Sequence, residues 1–153
     1  MLTIQILKNY SLFGGLAEEQ IEKILPLVEL ENFEPNKDII FEGTPNDKVY
    51  FIIEGSVKVV KEGVILANLG KGETFGEMEV LDVMPSAATI KCHSEVMIMS
   101  ISNKALKEIS KLDIKAYSLL IMNLAKDISR RLRRMNTKQV GAFKYLYEDK
   151  DEK

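Results

Sequence analysis

The sequence contains one cysteine, Cys92, and one histidine, His93. A single cysteine excludes an internal disulfide and any multi-cysteine metal site. A single histidine removes the metal enzymes that need several imidazoles and carboxylates converging on one ion. Adjacent residues on a strand face opposite sides, so Cys92 and His93 do not form a nucleophile–base pair. Cys92 is expected to be small and buried beside a turn. Arginine is confined to Arg130, Arg131, Arg133 and Arg134, late in the chain. No apolar run approaches the roughly 18 residues of a membrane span. The start, Met1 to Lys8, lacks a basic stretch and a cleavage site of small residues, so no secretory signal is expected. The formal net charge is -2, which does not argue for a nucleic-acid surface. Cysteine usage fits a reducing, cytoplasmic setting, with no membrane partner.

The 153 residues, 46% hydrophobic and 29% charged, are enough for one domain with a real core. Residues from Ile4 to Leu30 read as helical, broken at Gly14-Gly15, with Ile21, Ile24, Leu25 and Val28 at helical spacing. From Val28 to Ser102 the pattern changes to short apolar runs separated by turns. These include Pro35-Asn36-Lys37-Asp38, Gly43-Thr44-Pro45-Asn46-Asp47 and Lys61-Glu62-Gly63. That rhythm predicts a sandwich or jelly roll. Ser102 is a candidate N-cap for a short helix ending near Lys111. The longest helical pattern starts at Asp113. Tyr117, Ile121, Leu124, Ile128 and Met135 form a modest coiled-coil seam, with one face expected on the roll and one on a partner helix. Arg130 to Arg134 reads as a solvated helix end, favourable with the helix dipole. The polar stretch 139–153 is expected to be a frayed tail.

One segment interrupts the strand rhythm: Gly72-Glu73-Thr74-Phe75-Gly76-Glu77-Met78-Glu79-Val80-Leu81, then Asp82-Val83-Met84-Pro85-Ser86-Ala87-Ala88-Thr89. Gly72 and Gly76 free the backbone to turn. Glu77 to Leu81 can form one short helical turn, and Pro85 fixes the chain's departure before a strand resumes. A glycine before a helix start points several N–H groups at one spot, which suits an anion. In order and spacing, Phe75, Gly76, Glu77, Leu81, Pro85, Ala88 and Thr89 resemble the phosphate-binding cassette of the cyclic-nucleotide-binding domain family. Gly43, Asp47, Tyr50 and Gly55 also sit where that family places such residues, and the resemblance spans about residues 10 to 138.

The resemblance implies a mainly β fold with flanking helices: a double-stranded β-helix, or jelly roll, at about 28–102. A long helix at about 113–138 would complete a domain of residues 1–138. It implies a non-enzymatic sensor or regulatory domain of the effector type, with no cofactor and with cyclic AMP or cyclic GMP as candidate ligands. Phe75, Gly76, Glu77, Met78, Glu79, Ser86, Ala87 and Thr89 are the expected ligand-binding residues, Glu77 accepting from a ribose 2′-OH. Two departures fall at the chemistry. Ser86 stands where the family has arginine, and Glu79 where it has a small residue. A neutral hydroxyl replaces a charge-assisted bidentate contact, a loss of about tenfold or more in affinity. Rescue by another arginine is not expected, since none lies in the roll. Lys58 and Lys91 are the candidate substitutes as point charges, and the direction of Glu79 is left open. The long helix implies a homodimer through Tyr117, Ile121, Leu124, Ile128 and Met135. No helix-turn-helix, and so no DNA-binding domain, is read after it. The alternative is a vestigial pocket on a dimerisation or protein-interaction module.

Overall fold

The computed structural model describes residues 3–151, with side chains described as far as Glu148. Two short helices come first, α1 at Ile4–Leu7 and α2 at Glu18–Ile24, with a tight turn at Ser11–Phe13 between them. Eight strands follow: β1 Glu29–Phe33, β2 Asp38–Ile40, β3 Lys48–Glu54, β4 Val57–Lys61, β5 Val64–Leu69, β6 Thr74–Phe75, β7 Thr89–Cys92 and β8 Val96–Ser102. Helix α3, Glu77–Asp82, interrupts them, and α4, Asn103–Leu112, and α5, Ile114–Asp151, close the described chain. The strands form two antiparallel four-stranded sheets, β1-β8-β3-β6 and β2-β7-β4-β5. This is the jelly roll with flanking helices and a long last helix.

The central strands β3 and β8 are apolar on both faces because both faces are covered. Val49, Phe51 and Ile53 pack with Met99 and Ile101 against the helices. Between them along the strands, Tyr50, Ile52 and Ile98 face the second sheet, joining Val57, Phe75, Ile90 and Cys92. Ala116, Leu120 and Leu124 of α5 belong to the helix-side core. Helix starts are capped as the sequence suggests. Ala105 N–H donates to Ser102 Oγ at 3.0 Å, and Ala116 N–H to Asp113 Oδ1 at 3.0 Å.

Two boundaries differ from the sequence reading. The first helical stretch stops well before Leu30. Pro26 permits a single turn at Leu25–Leu27, Val28 is extended (φ -103, ψ 152), and β1 begins at Glu29. At the other end α5 continues to Asp151 instead of fraying after about 138. Val140, Ala142, Phe143, Leu146 and the good helix formers among them carry the pattern onward, with Gly141 costing only about 1 kcal/mol.

Candidate functional site

The site is built from the inside of the roll outward. β6 pairs Phe75 with Tyr50, and their rings stack at 4.9 Å and 11°. Gly76 then turns the chain with φ 79, and a Cβ there would lie 2.6 Å from the Lys48 carbonyl and 2.8 Å from Asn46 Nδ2. Only glycine meets both demands, the left-handed backbone and the close approach. Asn46, in the β2–β3 loop, donates to Lys48 O at 2.8 Å and to Gly76 O at 3.2 Å, fixing the turn against the sheet.

Helix α3 starts at once, and its first residue is the chemical centre of the segment. Glu77 is 2% exposed. Its Oε1 accepts from Arg131 Nη1 at 2.9 Å. Arg131 Nη2 donates to the Thr74 carbonyl, with a longer contact of 3.4 Å to Thr74 Oγ1. Glu77 Oε2 is buried and has no hydrogen-bond partner. Burial holds the Glu77 carboxyl above its ordinary value, an effect that the Arg131 charge only partly offsets. Arg131 comes from α5, outside the roll. Its neighbours are exposed: Arg134 reaches Glu73 at 3.4 Å, and Arg130 pairs with Asp127 of the same helix at 3.0 Å. The arginine cluster is therefore not a wholly solvated helix end. The signal for Arg131 was present in the helical phase. Leu120, Leu124, Asp127, Arg131 and Arg134 follow one another by four and three residues, and the first two lie in the core.

At the far end of the segment the chain folds back over α3. Val83 takes the left-handed conformation, φ 59, and its N–H donates to Glu79 O at 3.0 Å. Ala87 N–H donates to Glu79 Oε1 at 3.2 Å. Glu79 thus turns toward the loop that follows α3. Ser86 is 3% exposed. Its Oγ donates to Thr44 O at 2.7 Å, its N–H to the same carbonyl at 2.9 Å, and its own carbonyl accepts from Gly43 N–H at 2.8 Å. Thr89 Oγ1 accepts from Glu42 N–H at 3.0 Å.

Among the sequence-predicted residues, Glu77, Glu79 and Ala87 meet around α3. Phe75 faces the inter-sheet core, Ser86 faces the β2–β3 loop, Thr89 secures Glu42, and Met78 is 54% exposed. Neither candidate lysine faces the segment. Lys91 pairs with Asp38 at 3.1 Å. Lys58 lies between core-facing Val57 and Val59 and opposite Lys91 across the sheet, hence on the outer face. Cys92 is fully buried, which pushes its thiol up, whereas His93 is exposed. Among the described residues no group of three or more His, Cys, Asp or Glu converges as a metal site. Nor is any described helix long and apolar enough to cross a membrane.

The expected helix seam mixes two faces. Leu124 is 2% exposed and Tyr117 packs against the same core. Ile121, Ala125, Ile128, Leu132 and Met135 run along the adjoining flank of α5, at whose start Ile121 is half-buried against that core. Leu132 and Met135 there are 57% and 58% exposed. From Leu132 to Glu148 every described side chain is exposed.

Comparison with known proteins agrees with this geometry. The sequence profile described as "Cyclic nucleotide-binding domain" matches residues 30–113. A cAMP-dependent protein kinase regulatory subunit from Yarrowia lipolytica is 29% identical over 98 residues, 64% of this chain and 26% of that protein. The cyclic AMP receptor protein of Thermus thermophilus is 27% identical over 132 residues, 83% of this chain and 59% of that protein. The chain therefore spans only part of the length of these relatives. A crystal structure of a cyclic nucleotide-binding domain from Methylobacillus flagellatus superposes with TM-score 0.81 at 22% identity, covering 91% of this chain and 81% of that one. The chain belongs to the cyclic nucleotide-binding domain family.

Proposed function

We propose that this chain is a non-enzymatic regulatory domain that takes a nucleoside-like ligand against α3, with phosphate recognition weakened relative to its family. The observation that carries this reading is Glu77, buried to 2% exposure with Oε1 held by Arg131 and Oε2 unpartnered. A buried carboxylate oxygen without a partner is costly and is satisfied by a hydrogen-bond donor such as a ribose hydroxyl. A ligand seated there acts directly on the Glu77–Arg131 pair, the link between α3 and the long helix. Movement of α5 against the roll is then the output. Hydrogen exchange over residues 113–135 reports it: saturating ligand alters protection in that segment, and an unchanged pattern overturns the mechanism.

The phosphate side supports weak anion binding. Ser86 replaces the family's arginine, and its hydroxyl proton is already committed to Thr44 O. Cyclic AMP and cyclic GMP remain the first ligands to try. The second reading, a dimerisation module with a vestigial pocket, rests on α5, where Ala125, Leu132 and Met135 are exposed beside half-buried Ile128 along one flank that begins at core-packed Ile121. The two readings are compatible, and pairing of two α5 helices is part of the proposal. Light scattering gives twice the chain mass if that is so, and Leu132→Asp returns the monomer. A thermal-shift titration tests the ligand: a compound at a hundred times its Kd stabilises the fold by about 2.7 kcal/mol, and Glu77→Ala abolishes the shift.

A further inference from the structure

Glu73 and Glu79 are both held by main-chain N–H groups at the carbonyl and at the carboxylate, but only the partners of Glu79 lie in the loop that follows α3. The Glu79 carbonyl accepts the Val83 N–H at 3.0 Å and its side-chain Oε1 accepts the Ala87 N–H at 3.2 Å. The loop 83–87 is thereby wrapped around Glu79. A carboxylate on a backbone N–H is the same charge-assisted bond that an oxyanion ligand makes. We infer that Glu79 is a built-in occupant of the phosphate position, and that it sets the ligand class of the site. An uncharged nucleoside is accepted in preference to its cyclic phosphate, which enters only by displacing the Glu79 carboxylate. This rests on the reading that the segment is a nucleoside pocket.

Charge in the neighbourhood points the same way. A phosphodiester at the trailing end would meet Glu79 and Glu77 on one short helix. Arg131 is engaged with Glu77 and Thr74, Lys91 with Asp38, and Lys58 lies on the outer face. Among the described residues no cation is paired with Glu79. A second anion beside an uncompensated carboxylate is disfavoured. Ser86 adds no donor there, because its hydroxyl proton goes to Thr44 O. The two departures from the family pattern therefore act together: one removes the cation, and the other supplies an anion in the ligand's place.

The test is calorimetric titration of adenosine and cyclic AMP into the wild type, Glu79→Ala and Glu79→Gln. Glu79 is half-exposed, so both variants are expected to fold, and circular dichroism verifies it. The wild type is expected to bind adenosine at least as tightly as cyclic AMP. Glu79→Ala is expected to raise cyclic AMP affinity at least tenfold and leave adenosine within about threefold, the size of one charge-assisted contact. Glu79→Gln keeps an acceptor for Ala87 and removes the charge. An intermediate gain supports occupancy and repulsion acting together. Cyclic AMP affinity unchanged by Glu79→Ala overturns the inference and leaves the pocket reading standing. No binding of either compound to any of the three proteins overturns both.

Discussion

Glu77 and Glu79 stand two residues apart on one short helix and meet opposite circumstances. Glu77 is buried, paired through one oxygen with an arginine from α5 and unpartnered at the other. Glu79 is half-exposed and folded onto a main-chain N–H of its own loop. The leading end of the segment is thus tied to the long helix by charge, whereas the trailing end is tied to itself. What differs is reach. Arg131 can arrive at Glu77 because α5 lies across the roll, but no cation of the described chain reaches the loop after α3. Two carboxylates on one short turn are thus fixed by different means, one by a charge from a distant helix and one by the main chain of its own loop.

The largest blow to this comparison is Arg131→Ala. It strands a buried carboxylate, and removing one partner of such a pair costs about 3 kcal/mol or more. For a domain of this size that lowers Tm by about 10 °C. A loss under about 1 kcal/mol would mean that the pair does not tie α3 to α5. Next comes a contrast along α5. Leu124→Ala, in the helix-side core, is expected to cost about 3 kcal/mol. Leu132→Ala, on the exposed side, is expected to change monomer stability by less than about 0.5 kcal/mol, read by urea denaturation at a concentration where the chain is monomeric. Equal losses would mean that the two faces of α5 are not distinct.

A smaller effect is expected in the opposite direction. Val83 is a β-branched residue at φ 59 and 83% exposed, a conformation costing about 1–2 kcal/mol. Val83→Gly is therefore expected to stabilise the fold by up to about 1 kcal/mol, after allowing for the freer unfolded chain. The smallest effect is a pH dependence. The folded Glu77 carboxyl is raised above its unfolded value, so its favourable share of stability is present below about pH 4 and is lost as pH rises through the raised value. The Tm difference between wild type and Glu77→Gln is expected to shift against the wild type as pH rises from about 4 through the raised value. A flat difference would mean that burial does not govern Glu77.

Much of the architecture was legible because it rests on local chemistry. Gly76 must turn, Pro85 must stand beyond the helix and fix the chain's departure, Ser102 must cap a helix, and alternating apolar runs must become strands. The helical reading across Leu30 missed because Pro26 and the pairing of β1 with β8 outweighed a short periodic pattern. Within the site, the turn at Gly76 was legible, but the meeting of Arg131 with Glu77 was not, although the helical phase of α5 carried its signal. That meeting depends on the phase of α5 against a roll more than fifty residues earlier in the chain. The direction of Glu79 was equally illegible, since a helical residue's side chain is aimed by the loop that folds back on it. The seam on α5 was blurred for a third reason. Ala125, small and easily passed over, belongs to the exposed side, while the larger Leu124 belongs to the core.

The most direct single measurement is a thermal-shift titration of the wild-type chain with cyclic AMP, cyclic GMP and adenosine, from micromolar to millimolar. The account predicts no shift with either cyclic nucleotide at micromolar concentration and a rise with adenosine at concentrations no higher than cyclic AMP requires. A shift of several degrees with micromolar cyclic nucleotide would contradict it, because the trailing end would then be holding a phosphate despite Ser86 and Glu79.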